Sequence, residues 1–404
     1  MSQSLLYHTF RVRGHRLKKT EFDGGFTLFH VEPTKTLLRC SACGSGNVIR
    51  RGATERWFRN LPVGDRVTWI IASIPRVGCR DCGCCRQIKT GISDPRRTYT
   101  RAFARYVLEL TRHMTIKDVA EHLDVSWDIV KDIQKEHLRR HFSRPSLKDV
   151  RLIAIDEISI GRGHRYLTVV LDLETGAVLF VGDGKGTESL EPFWRRLRPL
   201  KGNIKAVAID MSRAYIAAVW DNLPKAAIVF DRFHIVKLMN DKLTRLRRQL
   251  HRQAADDLGK QVLKGTRWLL LKHPDNLRED RGERERLEEA LELNESLAIG
   301  YYLKEDLRQI WEQDTKRQAE RFLRDWIARA RSSGIRVLQE MAATLERHAW
   351  GITSWYDYPI STGPLEGTNN KIKTMQRQHY GLRDEEFRRL KIYALHETKY
   401  ALVG

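Results

Sequence analysis

The sequence predicts an α/β core, interrupted by a large helical insertion and preceded by two smaller modules, a cysteine ribbon and a helix-turn-helix. Three observations carry this prediction. All six cysteines fall between Cys40 and Cys85. Between Arg151 and Phe230, short apolar runs lead into acids. From Val236 to about Trp350 the apolar residues switch to a 3–4 spacing in a highly charged background.

Composition narrows the class. The chain has 404 residues, enough for two or three domains with real cores. It carries 72 Lys+Arg against 51 Asp+Glu, a formal charge of +21. A globular chain this basic points to nucleic acid, the plainer alternative being a generally basic surface. No run of about 18 apolar residues spans a membrane, and Met1 to Phe10 lacks the order of a signal peptide. Clustered thiols without an export signal favour a reducing cytoplasm and metal-bound thiolates over disulfides.

Residues 1–35 are mixed, with Phe22, Phe26 and Phe29 as packing points. Two Cys-x-x-Cys-Gly knuckles follow, Cys40 with Cys43 and Cys79 with Cys82, around a strand-rich stretch from Val67 to Ile74. Two-residue spacing lets both thiolates bind one ion, and the glycine permits the turn after them. The pattern fits a closed, structural tetrahedral Zn²⁺ site. Cys84 or Cys85 is an alternative to Cys82 as fourth ligand, and a redox pair is the competing reading. Arg50, Arg51, Arg56, Arg59 and Arg66 make the module basic. Thr115 to Val130 has a helix-turn-helix pattern, with Ala120 at the crossing, Val125 in the turn and Ser126 as N-cap. An ordinary helical hairpin is the alternative.

The texture changes after Pro145. Strands are expected over Arg151 to Glu157, Tyr166 to Leu171 and Ala177 to Val181. A helix follows, about Glu188 to Leu200. Then come a strand from Ile204 to Asp210, a helix from Ser212 to Trp220 and a strand from Ala226 to Phe230. This order matches a ribonuclease H-like α/β core. Asp156 and Asp210 each close an apolar strand. Asp156 and Glu157 point to opposite faces. Glu366 lies at the start of a helix signalled by Gly363-Pro364, and helical spacing sets it on one polar face with Asn369, Asn370 and Lys373. Such oxygen donors suit Mg²⁺, or Mn²⁺, and paired ions serve phosphodiester chemistry. In the helical body Trp268 reads as core before it reads as a base-stacking residue. The same holds for Trp350, Trp355, Tyr356 and Tyr358. A final amphipathic helix follows Gln376.

These pieces together resemble the transposases of bacterial insertion sequences in the ISL-three family, of the DDE class, over essentially the whole chain. The marks are the cysteine ribbon, the helix-turn-helix, Ile155-Asp156-Glu157, Ala208-Ile209-Asp210-Met211-Ser212, Phe230-Asp231-Arg232-Phe233-His234, and Gly363-Pro364-Leu365-Glu366-Gly367-Thr368-Asn369-Asn370-Lys371-Ile372-Lys373. The crowding of Cys82 to Cys85 departs from the pattern.

The resemblance implies a ribonuclease H-like fold with Asp156, Asp210 and Glu366 as the metal-binding triad. The implied activity is metal-dependent cleavage at the terminal inverted repeats, then joining of the 3′-OH ends to target DNA. Asp231, His234 and Asn370 are expected to support the triad, Asp231 and His234 either by orienting it or as a structural pair. Lys371, Lys373, Arg377 and Trp268 are expected to meet DNA. A homodimer or larger assembly on double-stranded DNA and a cytoplasmic, nucleoid-associated location follow. The expected organisation is a ribbon region over 1–97, a helix-turn-helix over 98–145, a catalytic core over 146–240 and 351–385, an insertion over 241–350 and a C-terminal helix over 386–404. A domesticated, catalytically silent regulator and a nuclease that never joins ends are the competing functions.

Overall fold

The computed structural model describes residues 6–161, 163, 165–254, 257–378 and 383–397. A break between two compact units falls between Arg140 and His141.

The N-terminal unit is built on five strands: β1 (His15–Asp23), β2 (Phe26–Pro33), β3 (Val48–Arg59), β4 (Val67–Cys79) and β5 (Cys85–Gln87). Their order is β1-β2-β4-β3, with β5 also on β4, and β2 and β4 run parallel. β4 is the central strand, and Ile70, Ala72, Ile74 and Val77 bury one face against Phe29, Val31 and Phe58. Of the three phenylalanines expected to pack, only Phe29 does. Phe22 is 75% exposed and Phe26 is also exposed, because both flank the Gly24-Gly25 turn at the hairpin tip. Arg59 is buried, and its guanidinium donates to the Leu123 carbonyl at 2.6 Å, so it is spent on packing rather than offered to a partner.

Three helices follow: α1 (Arg101–Leu110), α2 (Ile116–Leu123) and α3 (Trp127–Phe142). The Thr115 hydroxyl accepts from Asp118 N–H at 3.1 Å while Asp118 accepts from Thr115 N–H, a reciprocal cap on α2. Asp124 then turns left-handed at φ 48°, and Val125 N–H returns to the Ala120 carbonyl at 3.0 Å. The tight turn leaves Trp127 exposed at the head of α3 with the Lys131 ammonium over its ring.

The second unit holds β6 (Leu152–Gly161), β7 (Arg165–Asp172), β8 (Val178–Asp183), β9 (Ala206–Ile209) and β10 (Ala227–Phe230). The order is β10-β9-β6-β7-β8. β6, β7 and β8 form an antiparallel meander, and β9 and β10 run parallel to β6. β6 does not end on its acids. It runs on to Gly161 because β7 keeps pairing with it after β9 has stopped. The single helix expected over Glu188 to Leu200 is α4 (Glu191–Leu197) between two 3₁₀ segments. Pro199 has no N–H to continue an α-helix. α5 (Arg213–Asn222) links β9 to β10.

A helical body then runs through α6 (Arg232–Gln253), α7 (Asp257–Gly265), α8 (Arg267–Leu271), α9 (Glu283–Glu292), α10 (Glu295–Arg308), α11 (Lys316–Ser332) and α12 (Arg336–Thr353). Ile235, Met239, Leu243 and Leu246 form the buried stripe of α6. Gly300 lets α10 cross it closely, since a Cβ there would lie 3.0 Å from a Leu246 methyl. Gly351 does the same for α12, where a Cβ would come within 2.4 Å of the Phe230 ring. One core therefore joins the helical body to the sheet, and Gly351 seats α12 on the last residue of β10.

The chain returns through α13 (Gly363–Gln378) and α14 (Glu385–Tyr393). α14 packs on β8, where the Tyr393 hydroxyl accepts from Val181 N–H at 3.2 Å. The remainder of the expected C-terminal helix, 398–404, lies outside the described residues. No helix among those described is long and apolar enough to cross a membrane.

Burial pushes the Lys391 ammonium on α14 down to about 7. Because the folded value lies below the unfolded one, the buried charge costs most below pH 7, and the cost fades as pH rises toward 10.5. Lys391→Met is therefore expected to raise the melting temperature at pH 6, by up to about 5 kcal/mol in stability. The gain should shrink steadily in melts at pH 8 and 10. A gain independent of pH would show that the charge is not what costs.

Candidate active site

The parallel register of the second sheet aligns three acids. Ala154 of β6 pairs with Ala208 of β9, and Ile209 pairs with Phe230 of β10. Continuing that register brings Asp156, Asp210 and Asp231 level across three neighbouring strands. Asp156 sits two residues past the last β6–β9 pair, Ala154 with Ala208. Burial pushes the Asp156 carboxyl up. The Glu157 N–H and the charge of His234 pull it down, and the charges of Asp210 and Glu157 push it further up. Glu157 faces the other way and accepts from the Tyr215 hydroxyl on α5 at 2.7 Å.

Two contacts tie α13 to this row. The Asn369 amide donates to Asp156 Oδ2 at 3.1 Å. The Thr362 hydroxyl donates to Asp231, which is only 2% exposed. The Thr362 carbonyl accepts from Glu366 N–H at 2.9 Å, so one residue both anchors on the sheet and starts the helix that carries Glu366. Asp231 is thus bound to Thr362 rather than paired with His234, whose charge acts on Asp156.

The shared polar face expected on α13 needs correction. Glu366, Asn370 and Lys373 are exposed, but Asn369 is buried in line with Leu365, Ile372 and Met375. It is Asn369, not Asn370, that touches an acid. The sequence signal was present: a polar residue inside an i, i+4, i+7 apolar stripe requires a buried partner. Thr362 and Tyr215 left no comparable signal. Lys371 and Arg377 are exposed on the same helix. Trp268 is not a core residue: it is 64% exposed, with the Arg267 guanidinium 4.6 Å from its ring centroid. Trp350 is exposed too, stacked on Trp220 at 5.4 Å, because α12 turns that face outward. Trp355, Tyr356 and Tyr358 are half-buried.

The donor chemistry at the acid row is that of a hard cation site: carboxylate oxygens, plus Asn369 Oδ1, which is buried with no protein partner. The ligand oxygens of Asp156, Asp210 and Glu366 do not all lie within 4.8 Å of one another.

In the N-terminal unit, Val48 of β3 pairs with Cys79 of β4, which draws the two knuckles together. The knuckles are built alike. Gly44 N–H bonds the Cys40 carbonyl at 3.0 Å, and Gly83 N–H bonds the Cys79 carbonyl at 3.1 Å, with both glycines at positive φ. The Sγ atoms of Cys40, Cys43, Cys79 and Cys82 all lie within 4.8 Å of one another, the one such ligand group among the described residues. Cys40 to Cys82 and Cys43 to Cys79 are each 3.6 Å. A tetrahedron of sulphurs around Zn²⁺ has edges of about 3.8 Å. Cys84 and Cys85 fall outside the group. N–H groups of Cys43 and Ala42 hold the Cys40 thiol down at about 6. At Cys82 the Cys84 N–H favours the thiolate, yet the neighbouring Cys43 and Cys40 sulphurs push the thiol up. Four sulphurs this close form a set that one Zn²⁺ ion would hold as thiolates.

Comparison with known proteins agrees with these parts. A family model described as a transposase, of the DDE class in family ISL3, matches residues 153–392. A second, described as the helix-turn-helix domain of transposase family ISL3, matches residues 88–138. The chain is 32% identical over 388 residues to the transposase for insertion sequence element IS1001 of Bordetella parapertussis, covering 95% of each. It is 28% identical over 396 residues to the transposase for insertion sequence element IS1557 of Mycobacterium tuberculosis, covering 90% of this chain and 87% of that one. An acid row tied to a Glu-bearing helix, a helix-turn-helix and a four-cysteine knuckle thus sit in a chain that belongs to the ISL3 family of DNA transposases.

Proposed function

We propose that the chain binds the terminal inverted repeats of its element, cuts the ends by hydrolysis and joins the freed 3′ hydroxyls to target DNA, with Asp156, Asp210 and Glu366 as the catalytic acids. The observation that carries this reading is the level register of Asp156 and Asp210, with Glu366 started from a residue anchored on Asp231. The strand order, a three-strand meander with two parallel strands added beside β6, supports a ribonuclease H-like core. The domain limits expected from sequence belong to the same reading, with 146–240 and 351–385 as catalytic core around an insertion over 241–350.

Asp156, Asp210 and Glu366 would hold Mg²⁺ or Mn²⁺, whose charge stabilises the attacking and leaving oxygens of phosphodiester exchange. The chain's own residues do the positioning. Asn369 fixes the rotamer of Asp156, and its own position is fixed by the apolar stripe around it. Asp231 fixes Thr362 and with it the first turn of α13. In cutting, water attacks the phosphorus and the bond to the element's 3′ oxygen breaks. In joining, that 3′ oxygen attacks a target phosphorus and the target's own 3′ oxygen leaves. Lys371, Lys373 and Arg377 would hold phosphates, and Trp268 with Arg267 would stack on the strand. Cys40, Cys43, Cys79 and Cys82 would hold a structural Zn²⁺. Two ends cut together call for a homodimer or larger assembly, acting on the nucleoid in the cytoplasm.

Incubating the protein with Mg²⁺ and labelled element-end DNA tests the reading. Cleaved and joined products are expected. Cleavage alone would reduce the activity to a nuclease, and binding with neither product would reveal a silent regulator. Asn369→Ala is expected to slow cleavage about 10- to 100-fold and to raise the Mg²⁺ concentration needed for half-maximal rate. An unchanged Mg²⁺ profile would remove Asn369 from the site.

A further inference from the structure

Beside the acid row lies a cleft of about 440 Å³ that the roles above do not use. It opens where the head of α6, the end of α10 and the residues leading into α13 meet, and Asp231 forms part of its wall. Resting on the DNA-cutting reading, we propose that this cleft receives one nucleotide drawn out of the DNA stack near the cut, its base against Phe233 and Trp311 and its phosphate near Arg232 and Arg308.

The lining matches that occupant in three respects. Phe233 shows a ring that is 48% exposed although it follows a buried strand end, so a flat apolar face is available. Trp311 is only 7% exposed, yet its indole Nε1–H has no acceptor. Arg308 Nε is likewise buried without a hydrogen bond, its nearest carboxylate oxygen being Glu305 Oε2 at 3.8 Å. A buried donor left unpaired is costly, and such a group persists where a ligand supplies the acceptor. Glu312 adds an acceptor on the same wall. A π-face, donors and an acceptor on one wall, and guanidinium groups beside them are what an unstacked nucleotide presents partners for. A wholly apolar guest would leave the indole and guanidinium donors unpaired. A free anion would leave Phe233 uncovered.

The arrangement has a use. Holding one nucleotide in a cleft walled by Asp231 would fix the register of the scissile phosphate against the neighbouring Asp210 and Asp156.

Duplexes of the element's terminal inverted repeat, carrying 2-aminopurine at successive positions around the cut, provide the test. Binding is followed in Ca²⁺, and cleavage is followed separately in Mg²⁺. The expected result is a several-fold rise in 2-aminopurine emission at one position near the cut. Phe233→Ala, at an exposed position that leaves the melting temperature unchanged, and Trp311→Phe, which keeps an aromatic ring and removes the N–H, should each diminish that rise. An abasic site at the bright position should restore part of the cleavage rate that Phe233→Ala loses. Failure of every position to brighten, or equal brightening in both variants, overturns the proposal, as does tight binding of free dAMP without brightening in DNA. Brightening without cleavage would instead sink the catalytic reading and leave the cleft assignment standing.

Discussion

Asp210→Asn is expected to abolish both cutting and joining while the protein still folds and still binds element-end DNA. The substitution is close to isosteric, and Asp210 lies past the end of β9, where its carboxylate accepts from Ser212 N–H at 2.9 Å. Asparagine retains an acceptor for that bond. It loses the negative charge that adds to the proton affinity of Asp156 and that a divalent ion requires. Losing several kcal/mol of metal-borne charge stabilisation slows the chemical step by roughly a thousandfold or more. Asp156→Asn and Glu366→Gln should match it, since removing any member of a set that acts together costs nearly the whole effect. Single-turnover cleavage of end DNA, with Mg²⁺ affinity followed by calorimetry, checks all three. Full activity in any one of them would remove that acid from the site.

The second large effect concerns the four sulphurs. Cys43→Ser or Cys79→Ser, or stripping with a strong chelator, is expected to unfold the knuckle and abolish specific binding to the inverted repeats. Metal binding at such sites is worth on the order of 10–16 kcal/mol in small peptides, more than a β-ribbon end can recover by packing. Here Cys43 and Cys82 are exposed, so little apolar burial would hold the turns without an ion. Cys84→Ser and Cys85→Ser should retain one zinc per chain and normal binding, because both thiols lie outside the sulphur group. Elemental analysis of the purified variants decides it. Loss of zinc in Cys84→Ser or Cys85→Ser, with retention in Cys82→Ser, would overturn the assignment.

Much of this was legible in the chain. Short apolar runs announced the five strands of the second sheet, and the two Cys-x-x-Cys-Gly knuckles announced the sulphur group, because both signals are local. What stayed hidden depends on pairing across distance. The extension of β6 past Asp156 is decided by β7, not by β6 itself. The exposure of Trp268 and Phe22 follows from where a break or a turn directs them, and hydrophobicity alone says nothing of that. The Thr362 anchor joins residues 131 positions apart, and nothing near Thr362 in sequence predicts it. Asn369 lies between these cases: its place in the stripe was readable, but the identity of its partner was not.

The anchor of Thr362 on Asp231 also has a consequence in time. Asp156, Asp210 and Asp231 are synthesised early, whereas Glu366 leaves the ribosome 156 residues after Asp210. At about 5–20 residues per second, that interval is roughly 8 to 30 s. On the proposed assignment, a nascent chain with its knuckle and helix-turn-helix already made would meet nearby DNA in that window without its third acid. Translation itself would then act as a delay line, separating the moment when the polypeptide can hold DNA from the moment when it can cut it.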